Sequence, residues 1–352
     1  MAYWGLRLVE TPRTNQIDMA RVKESFKDQF LQQRLSAFRP SWSPRNLIIL
    51  FCAFGVVYLI IAIPLLIVAG NAYDQVKIYD GYDHTDSDCH IDANNAKQEC
   101  TIEFTLTRDI HQTLSVYYEL DNFYQNHREY VNSVSYDQLY GEQLSGEDLE
   151  SVCGSKTYTD TNKTKVLVPC GYIANSFFND EIQLLNEDLV LDEHDISYSN
   201  DRKRYNNPPD FGQPSDKYQF IYETYPQIKK DKSSVITDSN YYGPGVQDEH
   251  FIVWMRLAGV PHFRKLYGRI RTHNLKKGDV IRFRIVNNFE VASFKGRKGL
   301  ALATENFIGG RNFGIGVLFI IGSVLSFLFA IGVGIMNKVC PEVLPINGGK
   351  YD

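Results

Sequence analysis

Residues Leu47–Ala69 read LIILFCAFGVVYLIIAIPLLIVA, 23 positions without one charged side chain. At about 1.5 Å rise per residue such a run makes a helix of roughly 35 Å, against a bilayer hydrocarbon core of roughly 30 Å. A second uncharged run, Phe313–Met336, has 24 positions and reads FGIGVLFIIGSVLSFLFAIGVGIM. Buried helices of soluble proteins seldom reach this length without a charge, so both runs are expected to span a membrane. A cleavable leader is the competing reading of the first, because Gly70-Asn71-Ala72 could pass for a cleavage site. However, 46 residues precede the run, and it is longer than the roughly 7–15 apolar residues of a leader. An uncleaved anchor fits better, and Pro64 inside it is tolerated in membrane helices.

Charge divides unevenly around these runs. Of a whole-chain charge of −5, residues 1–46 carry +4 and residues 337–352 carry none, which leaves −9 for residues 70–312. Arg34, Arg39 and Arg45 crowd the N-terminal side of the first run, while Lys77 alone follows it closely. The positive-inside rule therefore puts the N-terminus in the cytoplasm. Around the second run the bias is weak, since Arg297, Lys298 and Arg311 lie on its outer side; a large domain translocates largely regardless of its charge. Two spans then make both termini cytoplasmic. The expected organisation is a cytoplasmic tail (1–46), a span (47–69), an exoplasmic domain (70–312), a second span (313–336) and a short cytoplasmic tail (337–352).

Cys89, Cys100, Cys153 and Cys170 all fall in the central domain, whereas Cys52 lies in the first span and Cys340 just past the second. Four cysteines allow three pairings, and proximity in sequence favours 89 with 100 and 153 with 170. Loops of that size would each stabilise the domain by about 3 kcal/mol in the chain-entropy model. An oxidising, exoplasmic setting agrees with the charge argument. It also agrees with the sequon Asn162-Lys163-Thr164, set among polar turn residues in the loop that a 153–170 disulfide would close.

Alternation marks several strands in the domain. Ile102, Phe104 and Leu106 share a face in TIEFTLT, as do Ile281, Phe283 and Ile285 in DVIRFRIV. HFIVWMRL and KVLVP are further strand candidates, and LSVYYELDNFYQNHREYV is expected to begin as strand and end as helix. Two long polar regions, about 192–217 and 226–249, should carry function or lie against another surface. The fold class is thus a membrane protein with two transmembrane α-helices flanking a large, disulfide-stapled, antiparallel β-rich (α+β) exoplasmic domain.

No H-E-x-x-H, G-x-S-x-G, C-x-x-C or phosphate-cradling G-x-x-x-x-G-K-[ST] occurs, so the sequence points to no catalytic residue, metal site or cofactor. The triplets Asp192-Glu193-His194 and Asp248-Glu249-His250 read as solvated loop charge, since adjacent residues cannot easily converge on one ion. The basic run Arg202-Lys203-Arg204 is short and exoplasmic, which excludes a nucleic-acid partner. Arg256, Arg264 and Lys265 stand among core residues and would be costly to bury unpaired, so some of them should find partners within the domain while others are left to face a partner. A two-span trimeric cation channel is the alternative architecture. Such ectodomains usually carry more cysteines, and the second span offers only Ser323 and Ser326 as polar groups to face a pore. Within that span Gly322, Ser326, Ala330 and Gly334 make a ridge of small residues four apart, a surface on which a helix can pack closely.

Several stretches resemble one family in order: YYELDNFYQNHREYVNS, PCGYIANSFFND, NNPP, DEHFIVWMRLAGVPHFRKLYGRI, FKGRKGLALAT and IGGRNFGIG, with FLQQRLSAFRPSWSP before the first span. The chain from about residue 26 to 336 resembles the cell-division-control-protein-50, or ligand-effect-modulator, family of β-subunits of type IV P-type ATPases, the phospholipid flippases. The resemblance implies a partner ATPase that does the chemistry, moving phospholipid from the exoplasmic to the cytoplasmic leaflet. This chain would support its folding, exit from the endoplasmic reticulum and activity. Residence in the endoplasmic reticulum, Golgi, endosome or plasma membrane would follow the partner. Cys89 with Cys100 and Cys153 with Cys170 match the family's disulfide positions. The glycan common on the asparagine of its FND motif is absent, because Asn179-Asp180-Glu181 lacks the hydroxyl residue. The ridge is then expected to pack partly on the first span and partly on the ATPase. The tail residues Gln32, Gln33, Arg34, Phe38 and Trp42 are expected against the ATPase's cytoplasmic face.

Overall fold

A computed structural model describes residues 30–31, 43–92, 97–229, 244–271, 274–306 and 309–340. Helix α1 (Pro44–Asn71) leads into strands β1 (Asp74–Gly81), β2 (Gln98–Thr105) and β3 (Leu114–Asp121). Helix α2 (Gly146–Cys153) and strands β4 (Val166–Val168), β5 (Glu181–Leu184), β6 (Leu191–Asp192) and β7 (Tyr218–Phe220) come next. Helix α3 (Glu249–Met255), strands β8 (Phe263–Ile270), β9 (Val280–Asn287) and β10 (Arg297–Thr304), and helix α4 (Gly314–Val339) follow. The chain divides into two compact units, Met1–Val57 with Ser323–Asp352, and Tyr58–Gly322.

Both apolar runs are single helices, and α1 continues through Pro64. Their most apolar windows are only 11% and 17% buried, where the core helix of a soluble protein would be mostly covered. Ile60 and Leu318 are 65% and 68% exposed, side chains that water would expel and lipid would accept.

Two antiparallel sheets build the domain. The larger has the order β1-β10-β3-β8-β6 and the smaller β2-β9-β5. Alternation places Cys100, Ile102 and Phe104 of β2, and Ile281, Phe283 and Ile285 of β9, in the core, with Phe104 edge-on to Phe283. Their alternate neighbours face outward and pair across the strands, Arg282 with Glu103 and Arg284 with Glu99. Opposite-charge pairs of this kind keep an edge strand soluble. The core between the sheets is aromatic: Tyr118 stacks on Phe178 at 3.9 Å, and Phe123 meets Trp254, Phe263, Phe289 and Phe294 within 6.3 Å.

LSVYYELDNFYQNHREYV does begin as β3 and end in a short helix, Arg128–Asn132. Two local expectations change. KVLVP is a strand, but β4 pairs with β7 in parallel. HFIVWMRL is the helix α3 rather than a strand. The Asp248 carboxylate caps it, accepting from the His250 and Phe251 amides at 2.8 and 3.3 Å. Phe251, Ile252, Trp254 and Met255 then fall on one buried helical stripe, so packing overrides the β preference of the composition.

Candidate functional site: two buried lysines and two converging triplets

Strand alternation in β10 puts Lys298 on the face of Leu300 and Leu302, and Lys298 is 1% exposed. Its ammonium donates to Asp180 Oδ2 at 2.8 Å, to the Asn287 side-chain oxygen and to the Phe289 carbonyl, with Asp80 at 3.6 Å. Asp180 also accepts from the Tyr79 hydroxyl at 2.7 Å and from the Asn288 and Phe289 amides, both at 2.6 Å. Asn287 Nδ2 donates to Asp80 at 2.9 Å. One lysine thus ties together β1, β9, β10 and the segment entering β5. Burial, reinforced by Asp180, holds the Tyr79 hydroxyl well above its ordinary pKa, so it stays protonated and donates to Asp180. The aspartate that occupies the centre is the one in FND.

Lys265 of β8 is buried in a different way. Alternation sets it between Phe263 and Tyr267, and its ammonium donates to the carbonyls of Val253, Trp254 and Arg256 at 3.2, 2.6 and 2.5 Å. These are orphan carbonyls at the C-terminal end of α3, where the helix dipole favours a cation. The indole of Trp254 lies 5.0 Å from the ammonium, and its N–H donates to the Ile173 carbonyl at 2.8 Å. Burial pushes Lys265 down to about 7. The neighbouring arginines find carboxylates: Arg256 meets Asp201 at 2.6 Å, and Arg264 bridges Glu119 and Asp74 at 2.6 and 2.9 Å.

The two acidic triplets are not solvated loop charge. Glu249 is 7% exposed and accepts from the Asp195 and Ser197 amides at 2.9 Å, the Ser197 hydroxyl at 2.7 Å and Arg202 at 3.1 Å. His250 Nε2 lies 2.9 Å from Glu193 Oε2, which joins one triplet to the other. Adjacent residues diverge, but residues from different triplets meet because β6 and α3 both pack against β8. Arg202, from the short basic run, is part of this network rather than a surface charge. Nothing in the spacing of either triplet signals the meeting.

Cys89 is bonded to Cys100 and Cys153 to Cys170, with Cα atoms 5.2 and 5.8 Å apart. Asn162 is exposed in the turn before β4, where Thr164 donates to Asp160 at 2.8 Å. In the unit holding the outer chain segments, Ser323 donates to the Gly55 carbonyl at 2.9 Å, and a Cβ on Gly55 would lie 2.8 Å from the Phe327 ring. Ala330 is 4% exposed, and a Cβ on Gly334 would reach Ile48 at 3.8 Å. In the other unit, Gly322 faces Tyr58 at 3.4 Å and Gly316 faces Leu66 at 2.6 Å by the same measure. Residues of the ridge thus meet α1, and Gly55, which the sequence reading passed over, is a point of close approach. Gln32, Gln33, Arg34, Phe38 and Trp42 lie outside the described residues.

A family model described as the LEM3 (ligand-effect modulator 3) family / CDC50 family matches residues 49–343, from inside α1 to beyond α4. The chain belongs to the CDC50 family. It is therefore a membrane protein, and the β-rich domain between its two helices is the domain of that family. Its relatives include ALA-interacting subunit 3 of Arabidopsis thaliana, 32% identical over 90% of this chain and 87% of the relative. Cell cycle control protein 50A of Bos taurus is 32% identical over 90% of each. Phospholipid-transporting ATPase accessory subunit CRF1 of Saccharomyces cerevisiae is 33% identical over 92% of this chain and 86% of its own length.

Proposed function

We propose that this chain is the non-catalytic β-subunit of a phospholipid flippase, binding a type IV P-type ATPase and supporting its folding, export and activity. The observation that carries this reading is the extent of the family match, which runs from inside α1 through the whole intervening domain and α4. Relatives that align over most of their own length carry names of accessory and interacting subunits. The arginines before α1 support a cytoplasmic N-terminus, with residues 70–312 exoplasmic and 337–352 returning to the cytoplasm. Two disulfides and an exposed Asn162 in a sequon suit that side of the membrane, with a glycan on Asn162. Among the described residues, α1 and α4 leave large apolar side chains such as Ile60 and Leu318 exposed, which suits a partner's helices, with Ser326 and Ala330 at the margin of the seam. The segment of Gln32, Gln33, Arg34, Phe38 and Trp42 would lie along the ATPase's cytoplasmic face.

The test is to purify the tagged chain in mild detergent and identify stoichiometric companions by mass spectrometry. An equimolar P-type ATPase whose ATP hydrolysis rises with added phospholipid is the expected result. A homo-oligomer with no companion would overturn the reading and return the channel architecture.

A further inference from the structure

One end of the five-stranded sheet is tied to the end of α1. Tyr73, just past α1, donates its amide to the Thr304 hydroxyl at the end of β10 at 2.8 Å, and the Asn306 side chain donates to the Val68 carbonyl of α1 at 3.5 Å. Because α1 spans a membrane, this end of the sheet stands at the surface of the leaflet into which α1 runs. An open recess of about 450 Å³ lies there, bordered among the described residues by His111, Gln112, Thr113, Ser115, Arg269 and Glu305.

Arg269 and Glu305 come to this recess from opposite sides of β3, since β8 and β10 flank it. Strict alternation along β8 would turn Arg269 inward with Lys265 and Tyr267. A register shift between Val116 and Tyr117 changes the phase, so Arg269 lies opposite Ser115 and is half-buried on the outer face. Its Nη1 donates to the Asp195 carbonyl at 2.9 Å, while its cross-strand neighbour Asp192 is engaged by Arg271 at 2.7 Å. A guanidinium carries five N–H donors in a fixed fork, so one bond to a carbonyl leaves an edge for an anion. On the other side, Glu305 Oε1 accepts from the Ser115 hydroxyl at 2.8 Å and from the Tyr117 hydroxyl at 2.6 Å. Burial, reinforced by Glu305, raises the Tyr117 hydroxyl above its ordinary pKa, so it stays protonated and keeps this bond. Two donors on Oε1 hold the carboxylate in place and offer Oε2 to a cation. His111, exposed at the rim, adds a ring N–H. The recess thus carries a cationic and an anionic group on strands roughly 10 Å apart.

We propose that this recess binds the headgroup of a zwitterionic phospholipid of that leaflet, a phosphodiester carrying a primary ammonium, as in phosphatidylethanolamine. The phosphate accepts from the Arg269 guanidinium, whose fork matches its oxygens, and from the His111 ring. The ammonium donates to Glu305 Oε2 in a charge-assisted bond. The short link between phosphate and ammonium, with a hydrogen bond at either end, suits the separation of β8 from β10. The volume falls within the roughly 300–1,000 Å³ of small-molecule sites. The exposed side chains of Ile67 on α1 and Ile315 on α4 offer apolar surface to the acyl chains. The inference rests on the membrane end of the sheet and does not depend on the partner ATPase.

The test is calorimetric titration of the full-length chain, purified in detergent, with dihexanoyl-phosphatidylethanolamine and separately with glycerophosphoethanolamine. Saturable binding of both shows that the headgroup suffices; binding of the lipid alone shows that its acyl chains contribute, and either result upholds the site. Dihexanoyl-phosphatidylglycerol, which has the phosphodiester but no ammonium, is expected to bind at least tenfold more weakly. Glu305→Gln, whose amide oxygen still accepts from Ser115 and Tyr117, should keep the fold and lose most of this preference, a change that a merely structural role would not produce. Arg269→Gln is expected to lower the affinity for the ethanolamine lipid at least tenfold, and His111→Gln, at an exposed position, to lower it severalfold with the fold intact. No saturable binding, equal affinity for the two lipids in the wild type, or an unchanged preference in folded Glu305→Gln would overturn the proposal.

Discussion

Lys298 and Lys265 both stand on strands whose alternation turns them into the core, yet their surroundings differ in kind. Around Lys298 the compensation is ionic: two aspartates, a carboxamide and a carbonyl converge from three parts of the chain. Around Lys265 it is dipolar: three carbonyls at one helix end and the face of an indole, with no carboxylate among the described residues. The first arrangement joins distant segments and makes each partner costly to lose. The second secures one corner, where α3 meets β8, and leaves the cation open to titration near neutrality.

Four measurements break or sharpen this contrast. The largest effect is expected for Lys298→Met, which leaves Asp180 and Asp80 buried without their cation; breaking such a pair costs about 3–5 kcal/mol. Thermal unfolding of the purified chain, or its yield where the variant does not fold, reads this, and a loss under 1 kcal/mol would show that the centre is not ionic. Next, Lys298→Met combined with Asp180→Asn should be less destabilised than the two single changes added together, by about 1–3 kcal/mol. Strict additivity would mean that the two residues act separately.

The third measurement follows the pH dependence of Lys265. Its folded pKa of about 7 lies below the ordinary value for lysine, so the unfolded chain binds more protons between pH 7 and about 10. Its contribution therefore grows as pH rises through that window, and is least favourable below pH 7. Between pH 7 and 9 the stability of the wild type relative to Lys265→Met should increase by about 2 kcal/mol. A difference independent of pH would show that the carbonyls hold the ammonium fully charged. The smallest effect belongs to an exposed polar position: Asn162→Gln should change stability by less than about 0.5 kcal/mol, while a shift to lower mass on gels would reveal a glycan lost.

Much of this was legible along the chain. Uncharged length marks the two helices because hydrocarbon excludes charge, and period-two alternation marks β2 and β9 because one face of each is buried. The same alternation in RKGLALAT and FRKLYGRI also points Lys298 and Lys265 inward; the cost of burying Lys265 was legible from its core neighbours, whereas Lys298 counted only as a charge flanking the second span. HFIVWMRL was misjudged because β-branched and aromatic residues suit a strand as well as a buried helix. Only the Asp248 cap and the core stripe decide between them.

The sequence by itself determined the two membrane helices, the antiparallel domain between them and, through a long ordered resemblance, the family. Each of these rests on local composition or on motifs continuous along the chain. Only the tertiary structure decided that Glu193 meets His250, that Asp180 receives Lys298 across 118 intervening steps of chain, and that Gly55 admits Phe327. The physical reason is that a buried charge or a missing side chain is satisfied by whatever packing brings near. Packing joins residues by the way strands and helices stack, irrespective of their separation in sequence.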